Sequence, residues 1–160
     1  MWVRHLLPLV LIAAISAGST RSAGANGRSV DVRGGSVTTN FSGPNCPSPI
    51  NLCAEGTLTG TIHGSISAVV TSLTPGPQPG VAVGTATVVI HDPRGDLSCS
   101  ESTVADVTPG GDGAEADLCI FTGGTGEWAG VSGHIEAYGS TPPGQLTSGR
   151  YEGKLTVSRS

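Results

Sequence analysis

Histidine and carboxylate side chains that could do acid–base or metal chemistry are few in this chain, and His134 and Glu136 form the most suggestive pair. They lie two positions apart, so on a β-strand both side chains would share one face. With His63 or His91 from another strand they could form a metal site or an acid/base cluster. A polar face exposed to solvent explains the same spacing and is the stronger interpretation. We therefore expect no metal and no cofactor.

A second hypothesis is that polar residues line a ligand pocket inside the fold. Ile135 and Ala137 alternate with polar neighbours. Either face of this segment could point inward, because the interior of a barrel can hold packed side chains or a ligand. On this hypothesis the pocket candidates are His63, Glu101, His134, Glu136 and Tyr138.

Three short motifs have chemical interpretations that their context weakens. Residues 123–126 could be taken for a phosphate loop, but they lack the Gly-Lys-Ser/Thr ending and a following helix. Residues 94–96 are an Arg-Gly-Asp adhesion tripeptide, although Asp-Pro-Arg-Gly-Asp is also ordinary turn sequence. Residues 40–42, Asn-Phe-Ser, form an N-glycosylation sequon at Asn40 that matters only in a eukaryotic source. A serine hydrolase is not supported, because the chain has no Gly-x-Ser-x-Gly sequence.

Alternation of apolar and polar residues dominates the chain after residue 55 and predicts β-strands. Within 57–70, one face collects the apolar residues Leu58, Ile62, Ile66, Ala68 and Val70. Further strands are predicted over 29–41, 81–91, 97–107, 116–122, 134–138 and 151–157. Gly- and Pro-rich turns separate them, and no segment after the N-terminal region has a sustained helical stripe. Seven or eight short strands indicate an antiparallel barrel or sandwich.

The N-terminus is typical of a secretory signal peptide. Residues 6–17 are apolar and too few to span a bilayer as a helix. Ala-Gly-Ala at 23–25 predicts cleavage after Ala25, with Ala17 as a second candidate site and an uncleaved membrane anchor as the alternative. We expect a secreted, extracellular protein with a signal peptide at 1–25. One domain follows, in which 26–55 supplies an N-terminal strand and a Cys/Pro-rich loop and 56–160 supplies the main part of the barrel.

The charge of the chain limits its partners. The net charge is −4, and the mature protein is more acidic because Arg4 and Arg21 leave with the signal. Since no basic cluster remains, we expect no nucleic-acid partner and no membrane binding after cleavage. Charged residues make up 12% of the chain, about half the usual ~25%. The surface is therefore largely uncharged, which suits an exported protein.

Four cysteines, Cys46, Cys53, Cys99 and Cys119, follow the signal region. An even count in an exported chain suggests two disulfides, for which three pairings exist. We favour Cys46–Cys53, which flanks a proline-bearing loop, and Cys99–Cys119, on neighbouring strand-like segments. Zinc binding is the alternative, and it is disfavoured because neither spacing resembles a zinc knuckle.

A glycine-rich segment leads into the predicted strand at 134–138. Its structural motif comprises Gly123, Gly124, Gly126, Trp128, Gly130 and Gly133. This pattern resembles that of allene oxide cyclase-like and dirigent-like β-barrels. With Ala-Tyr-Gly at 137–139 and Tyr-Glu-Gly-Lys-Leu at 151–155, it is similar to an uncharacterised secreted bacterial branch of that superfamily. The close match covers residues 119–157.

The resemblance implies an eight-stranded barrel, often oligomeric, with a lumen able to take an apolar ligand. We therefore predict an all-β fold, a single antiparallel β-barrel of about eight strands, with Trp128 buried at a corner. Plant members cyclise an epoxide or guide radical coupling, but their pocket acids and arginines have no assigned counterpart here, so activity does not transfer. We expect a non-catalytic binding or surface-interaction module. The alternative is a dirigent-like or allene oxide cyclase-like isomerase or stereo-directing protein acting on a small apolar ligand.

Overall fold

The computed structural model describes residues 27–142 and 145–158, and the predicted signal peptide at 1–25 lies outside them. The strands are β1 (Arg28–Phe41), β2 (Cys53–Gly60), β3 (Gly64–Pro75), β4 (Val81–Asp92), β5 (Gly95–Asp106), β6 (Glu115–Gly124), β7 (Ser132–Ser140) and β8 (Thr147–Val157). A short 3-10 turn, Gly126–Trp128, lies between β6 and β7. In these two ranges, no helix is long and apolar enough to cross a membrane.

Every strand pairs antiparallel with the next, and β8 returns to pair with β1. The ring is thus a closed eight-stranded barrel, and the predicted all-β barrel is confirmed. The segment 57–70, which alternates without a break in sequence, is divided into β2 and β3 by a turn. Gly60 and Gly64 on either side of this turn have φ values of 106° and 135°, a backbone region that suits glycine.

Alternation sends one face of each strand into the lumen. The predicted inward residues of β8, Tyr151, Leu155 and Val157, are all buried. Buried apolar side chains concentrate at the end of the barrel formed by the β2–β3, β4–β5 and β6–β7 turns, which we call the closed end. Those filling it include Ile62, Leu97, Trp128, Val131 and Leu155.

The glycine-rich segment forms a corner of the closed end. Thr122 is an extra residue in β6, because Ser98 pairs with Gly123 whereas Cys99 pairs with Phe121. After this bulge the chain turns through the 3-10 element, whose Trp128 is only 2% exposed. The predicted burial of Trp128 is confirmed. Gly126 has a φ of 57° and lies so near the Arg94 carbonyl that a Cβ would collide with it, so the corner requires glycine there.

The two disulfides have the pairing favoured from sequence. Cys99 and Cys119 join β5 to β6, with Cα atoms 5.6 Å apart. Cys46 and Cys53 join the β1–β2 loop to the start of β2, with Cα atoms 5.8 Å apart. The loop also packs on β3, because the Ser48 hydroxyl donates a hydrogen bond to the Val70 carbonyl over 2.5 Å. One disulfide therefore joins two strands of the barrel wall, and the other holds a loop against the wall.

Candidate functional site

A cavity of about 240 Å³ occupies the lumen toward the end opposite Trp128, which we call the open end. Inward-facing residues from all eight strands line it. Its deeper part is apolar, because the alternating aliphatic residues of β2, β3, β4 and β7 meet there. These residues are Leu58, Ile66, Ala68, Val88, Ile90 and Ile135. The barrel thus provides a cavity, open at one end, that its own side chains do not fill.

One wall of the cavity, made by β5 and β6, carries three carboxyl groups: Glu101, Glu115 and Asp117. Glu101 pairs across the strands with Cys119, and Thr103 pairs with Asp117. Glu101 is therefore the deepest of the three and a diagonal neighbour of Asp117, for which Cα separations are about 7–8 Å. We call these three residues the acidic wall.

Burial perturbs the titration of the acidic wall. Desolvation raises the pKa of Glu101 to about 7, and the charges of Asp117 and Glu115 add to the effect. Desolvation and the charge of Asp117 likewise raise the pKa of Glu115 to about 7. The pKa of Asp117 is raised by burial, against a hydrogen bond from the Thr103 side chain that lowers it. Near neutral pH this wall therefore holds both protonated and ionised carboxyls.

The opposite side of the mouth is polar but uncharged. Thr38 and Asn40 of β1 and Thr147 of β8 line it. The Thr147 hydroxyl is hydrogen-bonded to the Thr141 hydroxyl over 2.5 Å. No Lys, Arg or His occurs among the described residues that line the cavity. The three carboxyls also form no ion pair within the described ranges. The electrostatic character of the lumen is thus purely acidic.

Of the five pocket candidates from sequence, only Glu101 lines the cavity. The placement of His134, Glu136 and Tyr138 in a pocket is wrong, because these residues lie on the outer face of β7. Ile135 and Ala137 take the inner face instead. Burying apolar side chains is favourable, so the apolar face of an alternating strand turns inward. Outside, the Tyr138 hydroxyl donates a hydrogen bond to Glu136 over 2.8 Å.

His63 is also misplaced by the pocket hypothesis, since it lies exposed in the β2–β3 turn at the closed end. Its Nδ1 is 3.6 Å from a carboxylate oxygen of Asp92. His91 pairs separately with Asp96 over 2.9 Å. In the part of the chain that is described, no group of three or more His, Cys, Asp or Glu side chains is arranged to hold a metal ion.

Sequence reasoning did not identify Glu115 and Asp117. In this part of β6 the usual arrangement is reversed: the two acids face the lumen, whereas the apolar residues Leu118 and Ile120 face solvent. The position of Cys119 was a usable signal, because residues 115, 117 and 119 are two apart and therefore share one face of β6. A buried disulfide at that position points the two acids inward.

The Arg-Gly-Asp tripeptide is part of the closed end. The Arg94 guanidinium donates two hydrogen bonds of 2.8 Å to the buried Asp92 carboxylate and a third to the Thr61 carbonyl. Burial acts to raise the pKa of Asp92. Hydrogen bonds from Arg94 and the His63 backbone outweigh this and hold the pKa well below its usual range. Because Arg94 is engaged in this way, the tripeptide is a structural turn.

Comparisons with known proteins give a likeness of fold. The sequence matches no protein-family model. It also matches no curated protein. Among solved structures, the fold is similar to that of the pterocarpan synthase dirigent protein GePTS1. The TM-score is 0.40 and the sequence identity 8%, over 93% of this chain and 100% of that chain. No residue role is transferred from that protein, so the candidate site rests on this chain's own residues.

Proposed function

We propose that this protein is an exported, disulfide-stabilised barrel that binds a small, largely apolar ligand in its lumen. The observation that carries the proposal is the cavity of about 240 Å³ with an apolar floor. Ligand pockets are concave, mostly apolar and furnished with a few polar groups, in volumes of about 300–1,000 Å³. The volume lies just below this range, which favours a small ligand.

The architecture supports binding without rearrangement. Cys99–Cys119 joins the two strands that carry the acidic wall, and buried side chains around Trp128 fill the closed end. A pre-formed site loses less conformational entropy when the ligand binds than one that must become ordered. The disulfides also fit export, because such bonds persist in oxidising compartments.

The test uses a pair of variants on one strand. Ala68 points into the cavity and its neighbour Ser67 points to solvent. Native mass spectrometry of protein from its source should detect a bound small molecule. Ala68→Phe should remove that molecule by filling the lumen, while Ser67→Phe should retain it. An empty wild-type barrel, or equal occupancy in both variants, would refute lumen binding.

A second candidate function is catalysis by an isomerase or stereo-directing protein. The observation that favours it is the pair of glutamates with a pKa of about 7, because a general acid or base works best with a pKa near the operating pH. The two functions differ in the fate of the ligand. Release of an unchanged molecule supports binding alone, whereas conversion that is lost in Glu101→Gln supports catalysis.

A further inference from the structure

We propose that the ligand of this cavity is a small amphiphilic cation: an apolar body with one protonated amine, held by Glu101, Glu115 and Asp117. The inference rests on the proposed binding in the lumen and specifies its chemical class. The cavity with its apolar floor is what points to a ligand. The acidic wall specifies only the polar group that this ligand carries.

The cavity separates an apolar part from an acidic part. Its floor is aliphatic around Ile66, Val88 and Ile90, whereas the carboxyls occupy the β5–β6 wall from Glu101 outward to Glu115. A molecule that fills both parts has an apolar body on the floor and its polar group beside the wall. Successive inward residues on a strand are about 6.6 Å apart, at ~3.3 Å per residue. One ammonium group between Glu115 and Asp117 can therefore lie near both.

The charges around the cavity select a cation. The residues of β1 to β4 and β7 that line the cavity have aliphatic, hydroxyl-bearing or amide side chains, and none of those described is charged. Asp92, which is buried on β4 below the cavity, is paired with Arg94. On β8 the titratable residue that lines the cavity is Tyr151, whose hydroxyl donates to the Ile62 carbonyl over 2.6 Å at the closed end. An ionised carboxylate only accepts hydrogen bonds, and an ammonium group donates three. A protonated amine thus supplies the donors and the charge that the protein does not.

Other ligand classes fit the wall less well. An anion would be repelled by three carboxyls with no cation beside them. A neutral alcohol would occupy the floor, but above the pKa of the carboxyls it would leave ionised carboxylates buried without a counter-charge, which is unfavourable. A metal ion needs converging ligands, and no described cluster of acidic, histidine and cysteine side chains converges in that way. The organic cation satisfies the apolar floor and the acidic wall together.

Binding of the amine is coupled to proton release. Glu101 and Glu115, with pKa values of about 7, are mostly protonated at mildly acidic pH. An alkylamine resembles a lysine side chain, with a pKa of about 10.4, and stays protonated throughout. The cation pairs with the ionised carboxylates, so its affinity should rise with pH, by up to about tenfold per pH unit for each proton released. The rise should level off above the pKa of the carboxyls.

The experiment compares three probes of one chain length by titration calorimetry: hexylamine, hexan-1-ol and hexanoate. At about pH 8, where Glu101 and Glu115 are mostly ionised, we expect hexylamine to bind at least about tenfold more tightly than hexan-1-ol. Hexanoate should bind most weakly. Lowering the pH to about 5.5 should reduce the preference for the amine, because Glu101 and Glu115 are then mostly protonated. Glu101→Gln should reduce it at pH 8, and the outward Glu136→Gln should leave it unchanged.

The outcomes separate this inference from the proposed function. If hexan-1-ol binds as tightly as hexylamine at pH 8, the cationic class is wrong and lumen binding stands. If no probe binds and the natural protein carries no small molecule, both are wrong. Should Glu101→Gln fail to fold, Glu115→Gln nearer the mouth serves as the second variant. A preference for the amine that persists unchanged in the variant would overturn the role of the acidic wall.

Discussion

The guanidinium carbon of Arg94 lies 4.6 Å from the centre of the Trp128 ring. The same guanidinium is hydrogen-bonded to Asp92 at the end of β4. Because it also contacts the Trp128 ring, it links the β4–β5 turn to the β6–β7 corner. The Trp128 indole N–H is buried and has no hydrogen-bond partner among the described residues. Packing and the cation–π contact therefore hold the indole, the contact contributing about 0.5–2 kcal/mol.

Replacement of Trp128 should weaken the fold strongly. Trp128→Ala removes a buried side chain from the closed end and should lower the free energy of unfolding by about 3–5 kcal/mol. Trp128→Phe keeps a ring beneath Arg94 and loses the unpaired N–H, so its effect should be smaller. Urea denaturation measures both. An unchanged midpoint in Trp128→Ala would mean that the indole does not contribute to the core.

Removal of the Asp92 carboxylate should be far more damaging than removal of Asp96. Asp92→Asn leaves Arg94 without its counter-charge, and breaking a buried pair costs about 3–5 kcal/mol. Arg94 is 32% exposed, which places the expected loss at the lower end. Asp96→Asn removes an exposed pair with His91 and should cost about 0–1 kcal/mol. Equal midpoints for the two variants in urea denaturation would contradict the structural role of Asp92.

Stability should decline between about pH 5 and pH 8. The folded-state pKa of Glu101 is about 7, above its ordinary 4.5. The folded protein therefore binds this proton more tightly than the unfolded chain, and its contribution is full below pH 4.5 and lost as the pH rises through 7. The full shift, from 4.5 to about 7, corresponds to about 3.5 kcal/mol at about 1.4 kcal/mol per pKa unit, and roughly 2–3 kcal/mol of it should be lost between pH 5 and pH 8. Glu115 adds less because solvent near the mouth screens it.

A series of urea denaturation curves at several pH values tests this decline. Glu101→Gln should flatten the pH dependence above pH 5, since the amide does not ionise. The matched outward variant Glu136→Gln should keep the wild-type profile. A wild-type protein whose stability rises from pH 5 to pH 8 would show that the lumen carboxyls are ordinary surface groups.

Removal of the disulfide inside the barrel should affect both stability and binding. Cys99 and Cys119 are 20 residues apart, and a loop of this size corresponds to about 3 kcal/mol. The double serine variant should lose roughly this much and also bind lumen probes more weakly, because the crosslink underlies the acidic wall. The control is the double serine variant of Cys46 and Cys53, outside the lumen. It should lose somewhat less stability and keep probe affinity; the reverse order would contradict the assignment.

The strands and their inward faces followed from alternation because burial separates the two sides of a half-buried strand. Leu58, Ile66 and Ala68 face the lumen, as expected from their spacing. For the strand at 134–138, an exposed polar face was the stronger interpretation, but His134 could still be placed inside because the interior of a barrel can hold packed side chains or a ligand. Hydrophobicity decides between His134 and Ile135, and Ile135 is buried.

The acidic wall could not be derived from hydrophobicity. In β6, Leu118 and Ile120 point outward while Glu115 and Asp117 point inward. The orientation of this strand is set by pairing on both sides and by the bond between Cys99 and Cys119, which are tertiary constraints. A reversal of this kind departs from local preference, and such departures are expected at functional sites.

Because the eight-stranded sheet is closed, it has no edge strand, and this limits how native molecules can associate. A sheet edge offers unpaired backbone groups that template further strands, and closure removes them. Contacts between native molecules must then run through outward side chains such as Leu118 and Ile120. The shortest ladders are β2–β3 and β6–β7. Beside the first, the Ser48 hydroxyl donates to the Val70 carbonyl and the Val70 N–H donates to the Leu52 carbonyl. Beside the second, the Thr141 N–H donates to the Gly113 carbonyl over 3.2 Å. We expect the barrel to open first between β6 and β7, so the amides of this strand pair should show the fastest hydrogen exchange among the strands. Aggregation through strand pairing should then begin from the two edges exposed there.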